Sequence, residues 1–84
     1  MAKFIAHRGN VDGANLAYEN DDAYLKHAYS LGHDVECDLI AHHGILYYGH
    51  DEPQNPADLT FLQQQGVWCH AKNLEALLQL LKMR

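Results

Sequence analysis

The chain has 84 residues, of which 48% are hydrophobic and 20% charged, and its formal net charge is −5 at pH 7. This length predicts one small domain, and a chain of this size buries only about 60–65% of its unfolded surface on folding. The chain contains six lysines and arginines and no basic patch, so we expect no nucleic-acid partner.

The sequence has no apolar run near the ~20 residues of a membrane span, and the apolar start at residues 4–6 is too short for a signal-peptide core. We therefore expect a soluble cytoplasmic protein. Cys37 and Cys69 lack CxxC spacing and lie in predicted buried strands, so we interpret both as reduced core residues.

Short apolar runs alternate with helical periodicity along the chain. Strands are predicted at residues 3–6, 34–39 and 67–71, an extended piece at 45–48, and helices at about 21–31, 57–65 and 74–84. Asn20 is predicted to cap the first helix and Asn73 the last. The spacing of Tyr24, Ala28 and Leu31 predicts the buried stripe of the first helix.

This alternation of strands and helices predicts a parallel sheet with right-handed crossovers. In such sheets chemistry collects at the carboxyl ends of the strands. We therefore expect these side chains to lie near one another: His7, Glu36 with Asp38, His50, and His70 with Lys72.

Glu36 and Asp38 lie two positions apart in a predicted strand, so both carboxylates share one face. Two like charges this close favour a divalent metal or a shared proton between them. The alternative is a solvated strand face with no ligand.

Four segments of the sequence match known motifs in order and spacing: residues 5–9 (Ile-Ala-His-Arg-Gly), 18–20 (Tyr-Glu-Asn), 32–39 with a Val-Glu-Cys-Asp core, and 46–51 ending in Gly-His-Asp. On these segments the chain resembles the amino-terminal part of the glycerophosphodiester phosphodiesterases, within the TIM-barrel phosphodiesterases that include phosphatidylinositol-specific phospholipase C.

The resemblance implies that His7 and His50 form a general acid and base pair and that Glu36 and Asp38 hold a divalent metal. It implies that Arg8 contacts phosphate and that a neighbouring hydroxyl of the substrate attacks phosphorus. Glu19 and Asn20 match a family segment apart from a missing proline, and we interpret their role as structural.

The third strand departs from the family, which places an acidic ligand two residues before a lysine. Here His70 takes that place before Lys72, so His70 is a candidate ligand and Lys72 a candidate phosphate contact. Two oxygens and one nitrogen favour Mg²⁺, Mn²⁺ or Zn²⁺ over Ca²⁺, with Mg²⁺ the first expectation. A hydrogen-bonded pocket histidine is the alternative for His70.

The expected fold class is α/β, with parallel βα units forming about three of the eight units of a TIM-type (β/α)8 barrel. Residues 1–84 would then be a partial phosphodiesterase domain, a fragment that hydrolyses a small-molecule phosphodiester to an alcohol and glycerol phosphate. A catalytically inactive metal- or phosphate-binding remnant and a small structural α/β module are the alternatives. Self-association through open sheet edges is a further expectation.

Overall fold

In the computed structural model, which describes residues 5–11 and 18–83, a five-stranded mixed sheet packs against three helices. The predicted strand residues Lys3 and Phe4 lie outside the described residues. The strands are β1 (Ile5–His7), β2 (Asp34–His42), β3 (Ile45–Tyr48), β4 (Asn55–Pro56) and β5 (Val67–Ala71), and the helices are α1 (Asp22–Ser30), α2 (Leu59–Leu62) and α3 (Leu74–Lys82).

Strand β2 is the centre of the sheet. β5 runs parallel to it along one edge, from Val35 to Leu39. The other edge is shared: β1 pairs in parallel with the start of β2, and β3 pairs antiparallel with its end. β4 then pairs antiparallel with β3.

The expected fold class is wrong, because the sheet is mixed and is not a run of parallel βα units from a TIM barrel. β2 continues three residues beyond the predicted end, and His43 and Gly44 then form a two-residue loop with φ values of 50° and 80°. Two positive φ values are typical of a type I′ turn, whose twist matches that of antiparallel strands. The chain therefore folds directly back into β3.

The two faces of β2 differ in what covers them. Val35, Cys37 and Leu39 are completely buried on the face that packs against α1 and α3. Because side chains alternate along a strand, Glu36 and Asp38 point to the opposite face. The candidate site therefore lies on the side of the sheet away from the helical layer.

The two cysteines face each other in register on β2 and β5. Cys37 is buried and Cys69 half-buried, and both are thiols. A hydrogen bond with Cys69, together with burial, raises the pKa of the Cys37 thiol.

Helix α1 begins one residue later than predicted. Its cap is Asp21, whose carboxylate accepts a hydrogen bond from the Tyr24 N–H, and Asn20 is not the cap. Leu25 and Ala28 are the buried residues of the helix. The predicted stripe is only partly right, since Tyr24 is half-buried and Leu31 is exposed.

The other helices differ from the sequence pattern in length and in exposure. α2 covers only four residues, fewer than the predicted segment. α3 turns its one completely buried residue, Ala76, toward the core and leaves four leucines exposed. These leucines are Leu74, Leu77, Leu78 and Leu81. No helix in the described part of the chain is long and apolar enough to cross a lipid bilayer.

Asn73 caps α3 as predicted and also joins the helix to the sheet. Its Oδ1 accepts hydrogen bonds from the N–H groups of Ala76 and Ala41, and its Nδ2 donates to the Ala41 carbonyl. One side chain thus closes the helix end and holds the far end of β2.

We expect Asn73→Ala to lower the free energy of unfolding by about 1–3 kcal/mol, because it removes the cap and both bonds to Ala41. Asn73→Asp keeps the acceptor and loses the donor, so its loss should be smaller. Urea unfolding followed by circular dichroism measures both variants. Equal stability of the parent and Asn73→Ala would contradict this role.

Candidate functional site

The parallel register of three strands assembles the candidate site. His7 on β1 lies opposite Glu36 on β2, and His70 on β5 lies opposite Asp38. This places two imidazoles and two carboxylates on one face of the sheet. The three strands thus bring together four of the residues expected from the sequence.

Asp38 is completely buried and is contacted on both carboxylate oxygens. Its Oδ2 lies 2.8 Å from Arg8 Nε and accepts a hydrogen bond of 3.1 Å from Asn20 Nδ2. Its Oδ1 lies 3.1 Å from His70 Nδ1. A buried carboxylate without such partners would be strongly destabilising.

Arg8 links Asp38 to a second carboxylate. Its Nη1 donates to Glu19 Oε1 at 3.0 Å, while its Nε contacts Asp38 as an ion pair without a well-aligned hydrogen bond. Burial alone would lower the pKa of Arg8, but the hydrogen bond to Glu19 and the charges of both carboxylates outweigh it and raise that pKa. Arg8 is therefore a fixed cation at the centre of the site.

Glu19 is held from both sides. Its Oε2 accepts a hydrogen bond of 2.9 Å from Asn10 Nδ2, and Tyr24 donates to Asn10 Oδ1 at 3.0 Å. The Asn10 hydrogen bond and, after it, the contacts with Arg8 lower the pKa of Glu19 despite its burial. Tyr24 on α1 is in this way connected to the guanidinium of Arg8.

His7 and Glu36 form a second pair beside this network. His7 Nε2 lies 2.6 Å from Glu36 Oε1, and the His7 side chain is 59% exposed. His7 is therefore open to a ligand on one side while one of its ring nitrogens is held by a carboxylate.

The described residues contain one group suited to a metal ion: Glu36, Asp38 and His70, with one ligand atom from each lying within 4.8 Å of the others. Metal–ligand bonds of about 2.0–2.2 Å put two ligand atoms of one ion at most ~4.4 Å apart, so small side-chain movements suffice. His70 Nδ1 would give up its contact with Asp38 Oδ1 and bind the ion instead. Two oxygens and one nitrogen fit Mg²⁺, Mn²⁺ or Zn²⁺.

Two cavities flank Arg8. The first, of about 550 Å³, is lined by His7, Arg8, Glu36 and His70 together with Trp68 and Cys69. The second, of about 370 Å³, is lined by Arg8 and His50 and by polar residues on the Glu19 and Asp51 sides. His7 and His50 therefore lie in separate cavities, with Arg8 lining both.

His50 is positioned by the turn that follows β3. A Cβ on Gly49 would overlap the carbonyl oxygen of Glu52, so this turn requires glycine. His50 Nδ1 lies 2.9 Å from Asp51 Oδ1. The Gly-His-Asp segment thus combines a tight turn with a histidine that its neighbour orients.

Lys72 differs from the other expected site residues. It is exposed directly after β5, where its backbone N–H donates to the Leu39 carbonyl at 2.8 Å. Among the described residues, Lys72 lines neither of the two cavities.

Several residues at the site were not assigned to it from the sequence, among them Asn20, Trp68 and Asp51. Trp68 shares the face of His70 by strand parity, so alternation could have found it. Asn20 was assigned to a helix cap instead. Its backbone φ of 61° is a conformation that asparagine tolerates better than most residues.

Comparison of the chain with protein-family models, with curated proteins and with solved structures finds no match. The resemblance to the glycerophosphodiester phosphodiesterases therefore rests on the four short segments of the sequence.

Glu19 gives a pH-dependent prediction. Because its pKa is lower in the folded chain than the ordinary value of 4.5, its stabilising effect is complete above that value and is lost as pH falls through the folded pKa. We expect Glu19→Gln to lower the unfolding free energy by about 1–2 kcal/mol at pH 7 and to flatten its decrease below pH ~4.5. Urea titrations across this range test it, and parallel pH profiles for the two proteins would contradict it.

Proposed function

We propose that the chain hydrolyses small-molecule phosphodiesters with the help of a divalent cation held by Glu36, Asp38 and His70. The observation that carries this proposal is that Glu36 and His70 line one open cavity with His7 and Arg8, and that the buried carboxylate of Asp38 lies within reach of both ligands. When bound, the cation supplies positive charge that stabilises the non-bridging oxygens of a phosphodiester.

Arg8 is the protein cation suited to the phosphate. A guanidinium carries five N–H donors, and the contacts with Asp38 and Glu19 use only part of them. The remaining donors are available for phosphate oxygens in the cavities that Arg8 lines. Because Asp38 and Glu19 offset the charge of Arg8 in a chain with a net charge of −5, the approach of an anionic substrate would also need the positive charge of the bound cation.

His7 is suited to act as the general base. With the Nε2 proton donated to Glu36, the lone pair on Nδ1 is free to accept the proton of an attacking hydroxyl. The sequence resemblance supports a hydroxyl of the substrate itself, next to the phosphodiester, as this nucleophile.

His50 is suited to act as the general acid from the other side of Arg8. Asp51 contacts its Nδ1 and fixes the ring, so that Nε2 is the nitrogen that would donate a proton to the leaving alcohol. This attack releases the alcohol and leaves a cyclic glycerol phosphate, and a water molecule then opens the ring to give glycerol phosphate, the product that the resemblance implies.

An assay with two substrates tests the proposal. Glycerophosphocholine carries a hydroxyl beside its phosphodiester, whereas bis(p-nitrophenyl) phosphate does not. We expect Mn²⁺- or Mg²⁺-dependent release of choline from the first, faster than hydrolysis of the second, and loss of activity with EDTA.

Matched variants distinguish the loss of a catalytic side chain from a general effect of replacing a histidine. We expect His7→Ala and His50→Ala each to lower the rate by about 10²–10⁴-fold, as is usual for loss of an acid or base. His27→Ala, on the exposed last turn of α1, should match the parent. Activity that survives in both site variants, or that is absent from the parent, would refute the proposed reaction.

A second candidate is a cation-binding protein without turnover. The separation of His7 and His50 into two cavities favours it, because an acid and a base must reach the same phosphodiester. Mn²⁺ binding by the parent without hydrolysis of either substrate would select this function.

A further inference from the structure

The shared edge of β2 contains a gap. Hydrogen bonds along this edge run from the Arg8 N–H to the Glu36 carbonyl, at 2.6 Å, and from the Gly49 N–H to the Asp38 carbonyl, at 3.1 Å. The Asp38 N–H lies between them, after the last residue of β2 that pairs with β1 and before the first that pairs with β3. Asn20 fills the gap, since its Oδ1 accepts from this N–H at 2.8 Å.

The same amide also holds the Asp38 side chain. Asn20 Nδ2 donates to Asp38 Oδ2 at 3.1 Å, and both residues are almost completely buried. Asn20 therefore bonds the main chain and the carboxylate of one residue at once.

Two of the residues that contact this carboxylate have strained backbone conformations. Among the described residues, three non-glycine residues have positive φ: Arg8 at 55°, Asn20 at 61° and His43 at 50°. Two of them, Arg8 and Asn20, contact Asp38 Oδ2. Strained backbone of this kind is retained where the surrounding contacts require it, often at functional sites.

We propose that Asn20 is a positioning residue for the cation site. With Oδ2 held by Asn20 and Arg8, Oδ1 is the oxygen directed toward His70, where a cation would bind. The inference rests on the proposed function, because it assigns Asn20 a role at the same site. Groups that orient a metal ligand without touching the metal typically change affinity 10–100-fold when removed.

Asn20→Gly is the direct test. Glycine adopts the required backbone conformation without steric cost, so the variant removes the amide alone. We expect the Mn²⁺ dissociation constant, measured by electron paramagnetic resonance of free Mn²⁺, to rise about 10–100-fold over the parent.

Asn73→Gly is the matched control. Asn73 also bonds an N–H and a carbonyl of β2, but at Ala41, and it contacts none of the three candidate ligands in the described structure. Both glycine variants should unfold at lower temperature than the parent, whereas only Asn20→Gly should lose Mn²⁺ affinity. Binding is measured at a temperature where all the proteins are folded.

Asn20→Asp provides a second variant if Asn20→Gly does not fold. It retains the acceptor for the Asp38 N–H and places an oxygen, instead of an N–H donor, against Asp38 Oδ2. The added negative charge alone would tighten cation binding. Weaker Mn²⁺ binding therefore supports positioning, and unchanged or tighter binding contradicts it.

The outcomes distinguish failure of this inference from failure of the proposed function. A parent that binds no Mn²⁺ refutes the proposed function and the inference with it. A parent that binds Mn²⁺ while Asn20→Gly binds equally well, or no worse than Asn73→Gly, leaves the function standing and refutes the positioning role.

Discussion

The buried carboxylate of Asp38 is the constraint on which the site depends. A charge without solvent contact is tolerated only when other groups replace its hydration, and Arg8, Asn20 and His70 do so from three different segments of the chain. Each of these partners is fixed in turn. Arg8 is held by Glu19, Asn20 lies in a gap of the sheet, and His70 lies in register on β5. The site is therefore largely assembled before any ligand arrives.

The mixed sheet makes this arrangement possible. Because β1 pairs only with the first residues of β2, and β3 only with the last, the middle of that edge is left for a side chain instead of a strand. The type I′ hairpin at His43 and Gly44 also sets the direction in which β3 delivers His50. The antiparallel hairpin that makes the sheet mixed thus also places His50 on the opposite side of Arg8 from His7.

Some signals in the sequence were reliable and others were not. The bounds of β5 and the cap at Asn73 were predicted correctly, because they depend on neighbouring residues alone. Strand parity correctly placed Glu36 and Asp38 on one face, and register brought His7 and His70 to them. The hairpin was missed because alternating strands and helices favoured crossovers, although Gly44 was a turn signal. Asn20 was assigned to a helix cap because no local pattern reveals that a strand edge 18 residues away needs an amide.

The most direct test of the account is the equilibrium unfolding of Asp38→Asn beside Glu36→Gln. Asp38→Asn keeps the shape of the side chain but removes the charge that pairs with Arg8, and it places a second amide against that of Asn20. We therefore predict that the free energy of unfolding falls by about 3–5 kcal/mol. That is a large part of the ~4–13 kcal/mol expected for a chain of this length. Glu36 is half-exposed, and Glu36→Gln should change stability by less than about 1 kcal/mol. Unfolding of Asp38→Asn at the same urea concentration as the parent would contradict the central role of this carboxylate.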